Sequence, residues 1–192
     1  MRRRTFDVLA SVAGLVLAAV LAVSGGLLLW GHNFVDNQVT TQLTAQKIIF
    51  PAKSSPAFKE LPAADAAAMG QYAGQTMTTG AQAKVYADNF IGVHLSKMPG
   101  TYAQLSAQAL AQPNNTKLAD LVNTVFKGTT LRGMLLDAYA FWQMGQIAFW
   151  GAIVSFIGAG ILLILSAFGL YHARRVSPTA EILTPPTPAH AA

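Results

Sequence analysis

Any catalytic or metal centre in this chain would have to be assembled from very few side chains. The sequence holds 4 histidines and no cysteine, which excludes disulfides, zinc-thiolate sites and thiol nucleophiles. Zinc requires three or four converging ligands, and local spacings such as H-E-x-x-H do not occur. His94 is the histidine of the central stretch, while His32 closes an apolar run. Asp88 precedes His94 by six residues, a separation that does not bring two side chains together on one helix turn. His94 is therefore expected to be a packed or rim histidine. Glu60 and Asp65 flank a proline-rich stretch without a nucleophile beside them, so a general acid/base pair has nothing to act through. Gly70, Gly74 and Gly80 lack the Lys-Ser/Thr of a phosphate loop, and Asn114-Asn115-Thr116 matches a glycosylation sequon of low specificity. Arg132 and Asp137 adjoin the second apolar run and are the candidates for contact with a lipid headgroup or a partner helix. No catalytic, cofactor-binding or metal-binding residue is expected.

The elements that would carry these side chains are dominated by two long apolar runs. The 192 residues are 53% hydrophobic and 11% charged, against roughly 25% charged in ordinary soluble domains. The net charge of +5 equals the five arginines Arg2, Arg3, Arg4, Arg174 and Arg175, which flank the two runs. They read as topology determinants, and no nucleic-acid partner is expected. Val8 to Trp30 is uncharged and, at about 1.5 Å per residue, extends roughly 35 Å, enough to cross a hydrocarbon core of about 30 Å. Ile147 to Tyr171 is uncharged over a similar length. Neither run shows the polar face of a surface helix.

Flanking arginines favour the cytoplasm for both termini. The stretch between carries eight Lys/Arg and six Asp/Glu, dispersed over its length. Trp30, Trp142 and Trp150 mark the opposite interface, with Tyr171, Arg174 and Arg175 anchoring the cytoplasmic one. From Trp150 the second run reaches Tyr171 in roughly 32 Å, which leaves Trp142 at headgroup level or inside the central domain. A competing reading makes the first run a signal peptide cleaved after Ala22-Val23-Ser24. Its length exceeds the usual 7–15 apolar residues and favours an anchor. Small residues recur at steps of four, Gly14, Ala18 and Ala22 in the first run and Gly151, Ser155 and Ala159 in the second. Such ridges let helices approach closely in lipid. No ionisable residue lies mid-span, which argues against a proton relay or an ion pathway.

The central stretch reads as a small helical bundle. Val35, Val39 and Leu43 extend the first helix outward, and Ile48-Ile49-Phe50 suits a short extended piece. Pro51, Pro56 and Pro62 predict an irregular connector over 51–62. Gly80 to Met98 reads as a helix with Tyr86, Phe90 and His94 at steps of four and a Lys84/Asp88 pair. Thr101 and Gln104 have capping-box spacing and open a helix that would bury Tyr102, Leu105 and Ala109. From Asn115 an apolar stripe of Leu118, Leu121, Val122, Val125 and Phe126 predicts another helix, ended or kinked at Gly128 and then continuous with the second span.

The resulting fold class is an all-α membrane protein, with two transmembrane helices flanking a small helical extracytoplasmic domain. Its segments are a cytoplasmic 1–7, a span at 8–30, the domain at 31–143, a span at 144–171 and a cytoplasmic tail at 172–192. The tail carries Thr184-Pro185-Pro186-Thr187-Pro188 and is expected to be disordered.

Four short motifs, Ala45-Gln46-Lys47-Ile48, Tyr86-Ala87-Asp88, Thr101-Tyr102-Ala103-Gln104-Leu105 and Leu131-Arg132-Gly133, resemble those of a group of uncharacterised two-pass membrane proteins of actinobacteria. The resemblance implies the two-span topology. Some of that group carry a label as ring-opening dioxygenases, chemistry that would require an iron site of clustered histidines and carboxylates; this sequence has no local histidine cluster. The expected role is non-enzymatic: an accessory or structural subunit contacting the lipid bilayer and a membrane or envelope partner, or a second copy. A sensor relaying to a partner, and an enzyme at the outer membrane face using His94, Asp88 and Arg132, are the alternatives.

Overall fold

The computed structural model of the chain describes residues 2–177 and 180. Among them the fold is helical: α1 (Arg3–Ala45), α2 (Pro56–Lys59), α3 (Ala63–Gly70), α4 (Gly80–Tyr86), a π-helical turn (Ala87–Ile91), α5 (Gly92–Ser96), α6 (Tyr102–Ala111) and α7 (Thr116–Arg175). Two helices, α1 and α7, are long and apolar enough to cross a membrane, with mean hydropathy of 2.5 and 2.4 in their most apolar stretches. Only 11% of each stretch is buried within the protein. Leu17, Val20, Val23, Val154, Ile157 and Ile161 all face outward. A soluble core helix would cover such side chains with protein, whereas lipid covers them at no cost. The helices are compatible with a membrane protein. The tail expected to be disordered lies largely outside the described residues.

The chain divides into two compact units, one of Met1–Gly31 with Ala148–Ala192 and one of His32–Ile147. In the first, α1 and α7 run antiparallel along a seam of small residues. Ser11 and Ala18 are buried on α1, and Ala152, Ala159, Ser166 and Ala173 on α7. These positions recur every seven residues, the spacing that keeps one face of a helix turned toward a supercoiling partner. A Cβ at Gly25 would stand 3.0 Å from the Phe156 ring, and one at Gly158 would stand 3.1 Å from Leu21.

The second unit has a core of Val39, Leu43, Phe50, Leu61, Met69, Met77, Ala83, Ala87, Ile91 and Leu135. Phe50, Met69 and Met77 are almost completely enclosed. α1 extends to Ala45, and Lys47 ends it with φ 53. Ile48 to Phe50 is then extended, held by Met77 N donating to Ile48 O (2.8 Å) and Phe50 N donating to Gln75 O (2.9 Å). Ile49 and Thr76 form an isolated antiparallel bridge.

Stretch 51–62 is less irregular than its prolines predict. Ser55 accepts a hydrogen bond from Phe58 N, and Pro56 occupies the first turn of α2. Pro62 likewise precedes α3. A proline is pre-organised for the first turn of a helix, where its missing N–H is not needed. Pro56 begins α2, and Pro62 separates α2 from α3.

Capping boxes open α4 and α6. Thr79 with Gln82 and Thr101 with Gln104 each exchange side-chain and backbone hydrogen bonds. Of the face expected on α6 only Leu105 is buried, because Tyr102 is 42% exposed and leans on Phe126 at 5.4 Å between ring centroids. Asn115 caps α7 by accepting from Leu118 N at 3.1 Å. Gly128 does not end α7, which continues to Arg175. It clears room for Leu95, whose Cδ2 would lie 2.9 Å from a Cβ there.

Candidate functional site

The π-helical turn brings together Lys84, Asp88 and Arg132. Its wide loop leaves the Ala87 carbonyl accepting from Gly92 N and also from Arg132 Nε at 3.2 Å. Arg132 Nη2 reaches Asp88 Oδ1 at 2.7 Å, and Lys84 Nζ reaches Asp88 Oδ2 at 2.6 Å. The Lys84 hydrogen bond, joined by that of Arg132 and by both positive charges, holds the Asp88 carboxyl below its ordinary value against the opposing effect of burial. Asp88 in turn holds the Lys84 ammonium above its ordinary value. Lys84 also lies over the Tyr139 ring at 5.3 Å. Arg132 is thus paired with Asp88, not with Asp137. Five residues along a helix turn by about 140°, so Arg132 and Asp137 point to different sides of α7.

The remaining ionisable candidates are dispersed. His94 Nδ1 bonds to Phe90 O at 2.7 Å, with its ring on the Phe90 ring at 4.6 Å. His32 Nδ1 bonds to Gly145 O at 3.0 Å, tying α1 to α7 within the second unit. Asp65 accepts from Asn89 Nδ2 at 2.7 Å, and the backbone oxygen of Glu60 accepts from Lys97 Nζ at 3.3 Å. Among the described residues no three His, Asp or Glu side chains gather as metal ligands would.

A different feature occupies the face where α1 and α7 lie side by side in the second unit. There an open groove of about 540 Å³ is lined by Phe34, Val35, Val39 and Leu43 of α1, and by Leu131, Met134, Leu135, Ala138 and Phe141 of α7. Gln38, Gln42 and Gln46 stand along one wall and Asp137 on the other. Gln38 and Gln42 recur at helical spacing on α1 and Gln46 follows directly beyond its end, so amide donors and acceptors line one side of the groove. Phe34, Met134 and Phe141 are all more than half exposed. Asp137 therefore belongs to this groove and Arg132 to the π turn. The glutamine row was readable in the sequence as polar residues at helical spacing, but its apolar opposite wall was not.

The small-residue ridges and aromatic anchors take varied positions. Gly14 faces Ser166, and Ala18 and Ala159 are buried in the seam. A Cβ at Gly151 would stand 3.3 Å from Leu28, Ser155 is partly covered, and Ala22 is exposed. A step of four advances about 40° beyond a full turn, so the two steps of each ridge rotate it by about 80° and carry it off the contact. Trp30, Trp150 and Tyr171 are well exposed, and Arg174 and Arg175 are exposed. Arg175 lies over the Tyr171 ring at 4.6 Å. Trp142 takes the second of the two places open to it, inside the central unit, where it packs against Gly80 and Tyr139. No protein-family model matches the chain, and neither curated proteins nor solved structures give a match.

Proposed function

We propose that the chain is a two-pass integral membrane protein, with both termini cytoplasmic and the unit His32–Ile147 outside, acting as a non-enzymatic accessory or structural subunit. It would belong with the actinobacterial two-pass proteins its motifs resemble. The observation that carries the reading is the α1/α7 groove. An apolar floor between two helices, walled by a glutamine row and one carboxylate, suits a third amphipathic helix laid lengthwise. Phe34 to Gln46 gives roughly 18 Å, or about three turns, for such a helix. Its owner would be a membrane or envelope protein, or a second copy of this chain. The enzyme alternative would draw on His94, Asp88 and Arg132, of which Asp88 and Arg132 pair with each other while His94 bonds to Phe90 O.

The test is photocrosslinking in native membranes from a probe at Gln42 or Met134. A discrete protein adduct is expected from both, and none from a probe at Leu110, which is 85% exposed away from the groove lining. Identical yields from all three positions, or lipid adducts alone, would overturn the docking role. Protease protection of a tag placed in the central unit checks the topology.

A sensor remains the second reading, because a groove of about 540 Å³ falls within the range of about 300–1,000 Å³ that takes small ligands. A small molecule that displaces the crosslinked partner would favour it.

A further inference from the structure

The first turn of α1 and the last turn of α7 lie at the same end of the helix pair, and their arginines lie there with them. Along the seam Gly25 faces Phe156, Gly14 faces Ser166 and Gly169 faces Ser11. Asp7 Oδ2 lies 2.9 Å from His172 Nδ1. That antiparallel register carries Arg4 to the level of Arg175. Arg3 N indeed donates to Ala180 O at 3.0 Å. Arg2, Arg3, Arg4, Arg174 and Arg175 are all exposed. The acidic side chain described at this end is Asp7, and it is already engaged by His172. Five guanidinium groups from opposite ends of the sequence thus lie at this end, with Asp7 the carboxylate beside them among the described residues.

A second feature adjoins them. One to three turns further along the same helices, Phe6, Leu9, Val16, Leu165 and Phe168 are more than half exposed and apolar. Cations followed directly by an uncovered apolar band are complementary to a phosphate headgroup followed by acyl chains. A nucleic acid would match the first and not the second.

We propose that this end of the helix pair is a binding site for an anionic phospholipid bearing two phosphates. Arg3 and Arg4 take one phosphate, Arg174 and Arg175 take the other, and the acyl chains lie on the apolar faces below. Guanidinium forks bind phosphate oxygens in pairs, and basic clusters between helices at the cytoplasmic leaflet recognise polyanionic headgroups. The proposal rests on the two helices crossing a bilayer and is independent of the groove.

The experiment places the purified full chain in nanodiscs of phosphatidylcholine containing diphosphatidylglycerol or, at equal phosphate, phosphatidylglycerol. Lipids retained after release are then counted by native mass spectrometry. Preferential retention of diphosphatidylglycerol is expected. R174Q/R175Q and R3Q/R4Q should each lower it on the order of tenfold, to the level of phosphatidylglycerol, while R174K/R175K should keep part of it. Circular dichroism of each variant shows whether the helices persist; if one variant unfolds, the other tests the site. Inorganic phosphate should not displace the lipid. Equal retention of all three lipids, wild-type retention by both glutamine variants, or displacement by inorganic phosphate would overturn the site. Failure of the chain to enter nanodiscs at all would instead overturn the membrane reading on which it stands.

Discussion

The Ser166 hydroxyl occupies the space that a Cβ at Gly14 would need. The same arrangement repeats one pair along, where the Ser11 hydroxyl covers Gly169. Ser11 Oγ also donates to Asp7 O at 2.7 Å, so the hydroxyl that fills the gap has its own hydrogen bond satisfied. In lipid no hydrophobic force drives two apolar helices together, and close backbone approach must supply dispersion contact instead. Glycine opposite serine achieves that at two levels of the seam.

Replacing Gly14 or Gly169 by valine should therefore separate the helix pair, at a cost of about 1–3 kcal/mol. Gly26 meets nothing within 4 Å, so Gly26→Ala is the matched control and should be neutral or slightly stabilising. Thermal unfolding in mild detergent, followed by circular dichroism, measures all three.

Gly80 provides a comparable test in the second unit. A methyl group there would run into Cβ and Cγ of Trp142. Alanine favours a helix over glycine by about 0.5–1 kcal/mol, yet Gly80→Ala should destabilise, because overpacking costs about 1–3 kcal/mol. The loss should persist in a Trp142→Phe background, since phenylalanine keeps both of the colliding carbons. A stabilised Gly80→Ala protein would contradict the packing.

Stability of the second unit should depend on pH at both extremes. Asp88 is held below the ordinary carboxylate value of 3.8. Its contribution is complete above that value and is lost as pH falls through the lower folded one. Lys84 is raised above 10.5 by its hydrogen bond and charge pairing with Asp88, and Tyr86 above 10.0 by burial. Their contributions are complete below those values and decline as pH rises through the folded ones. Melting temperature should thus be level from about pH 5 to 9 and fall on either side. Asp88→Asn should flatten the acid limb and remove the Lys84 share of the alkaline one, leaving that of Tyr86, and ultraviolet titration should show one tyrosine ionising late.

Lys47 carries φ 53 where α1 ends. A left-handed conformation costs a side-chain-bearing residue roughly 1–2 kcal/mol relative to glycine. Lys47→Gly should stabilise the protein by up to about 1 kcal/mol once the greater freedom of glycine in the unfolded chain is subtracted. Denaturant titration with an unchanged slope would establish that the effect is one of stability alone.

Local signals made much of the helical layout readable in advance. Thr101 and Gln104 define a cap within four residues, and the outward continuation of α1 is visible in Val35, Val39 and Leu43. Lys84 and Asp88 are neighbours by helical spacing alone. The partner of Arg132 was not readable, because Asp88 lies 44 residues away and reaches it through a π turn that no local pattern announced. Likewise Pro56 and Pro62 look like breakers until the hydrogen bonds around Ser55 show where a helix begins.

By itself the sequence determined that the chain has two apolar helices long enough for a bilayer, where its charges cluster, and which chemistries its residue types exclude. Those properties depend on composition and on spacing along one helix, and neither requires a partner element. Tertiary structure decided which small residues meet, where Asp137 and Arg132 part company, and that glutamines on α1 face apolar side chains on α7 across an open groove. Such relations arise from the register between segments far apart in the chain, set by the packing of whole faces and not by any local preference.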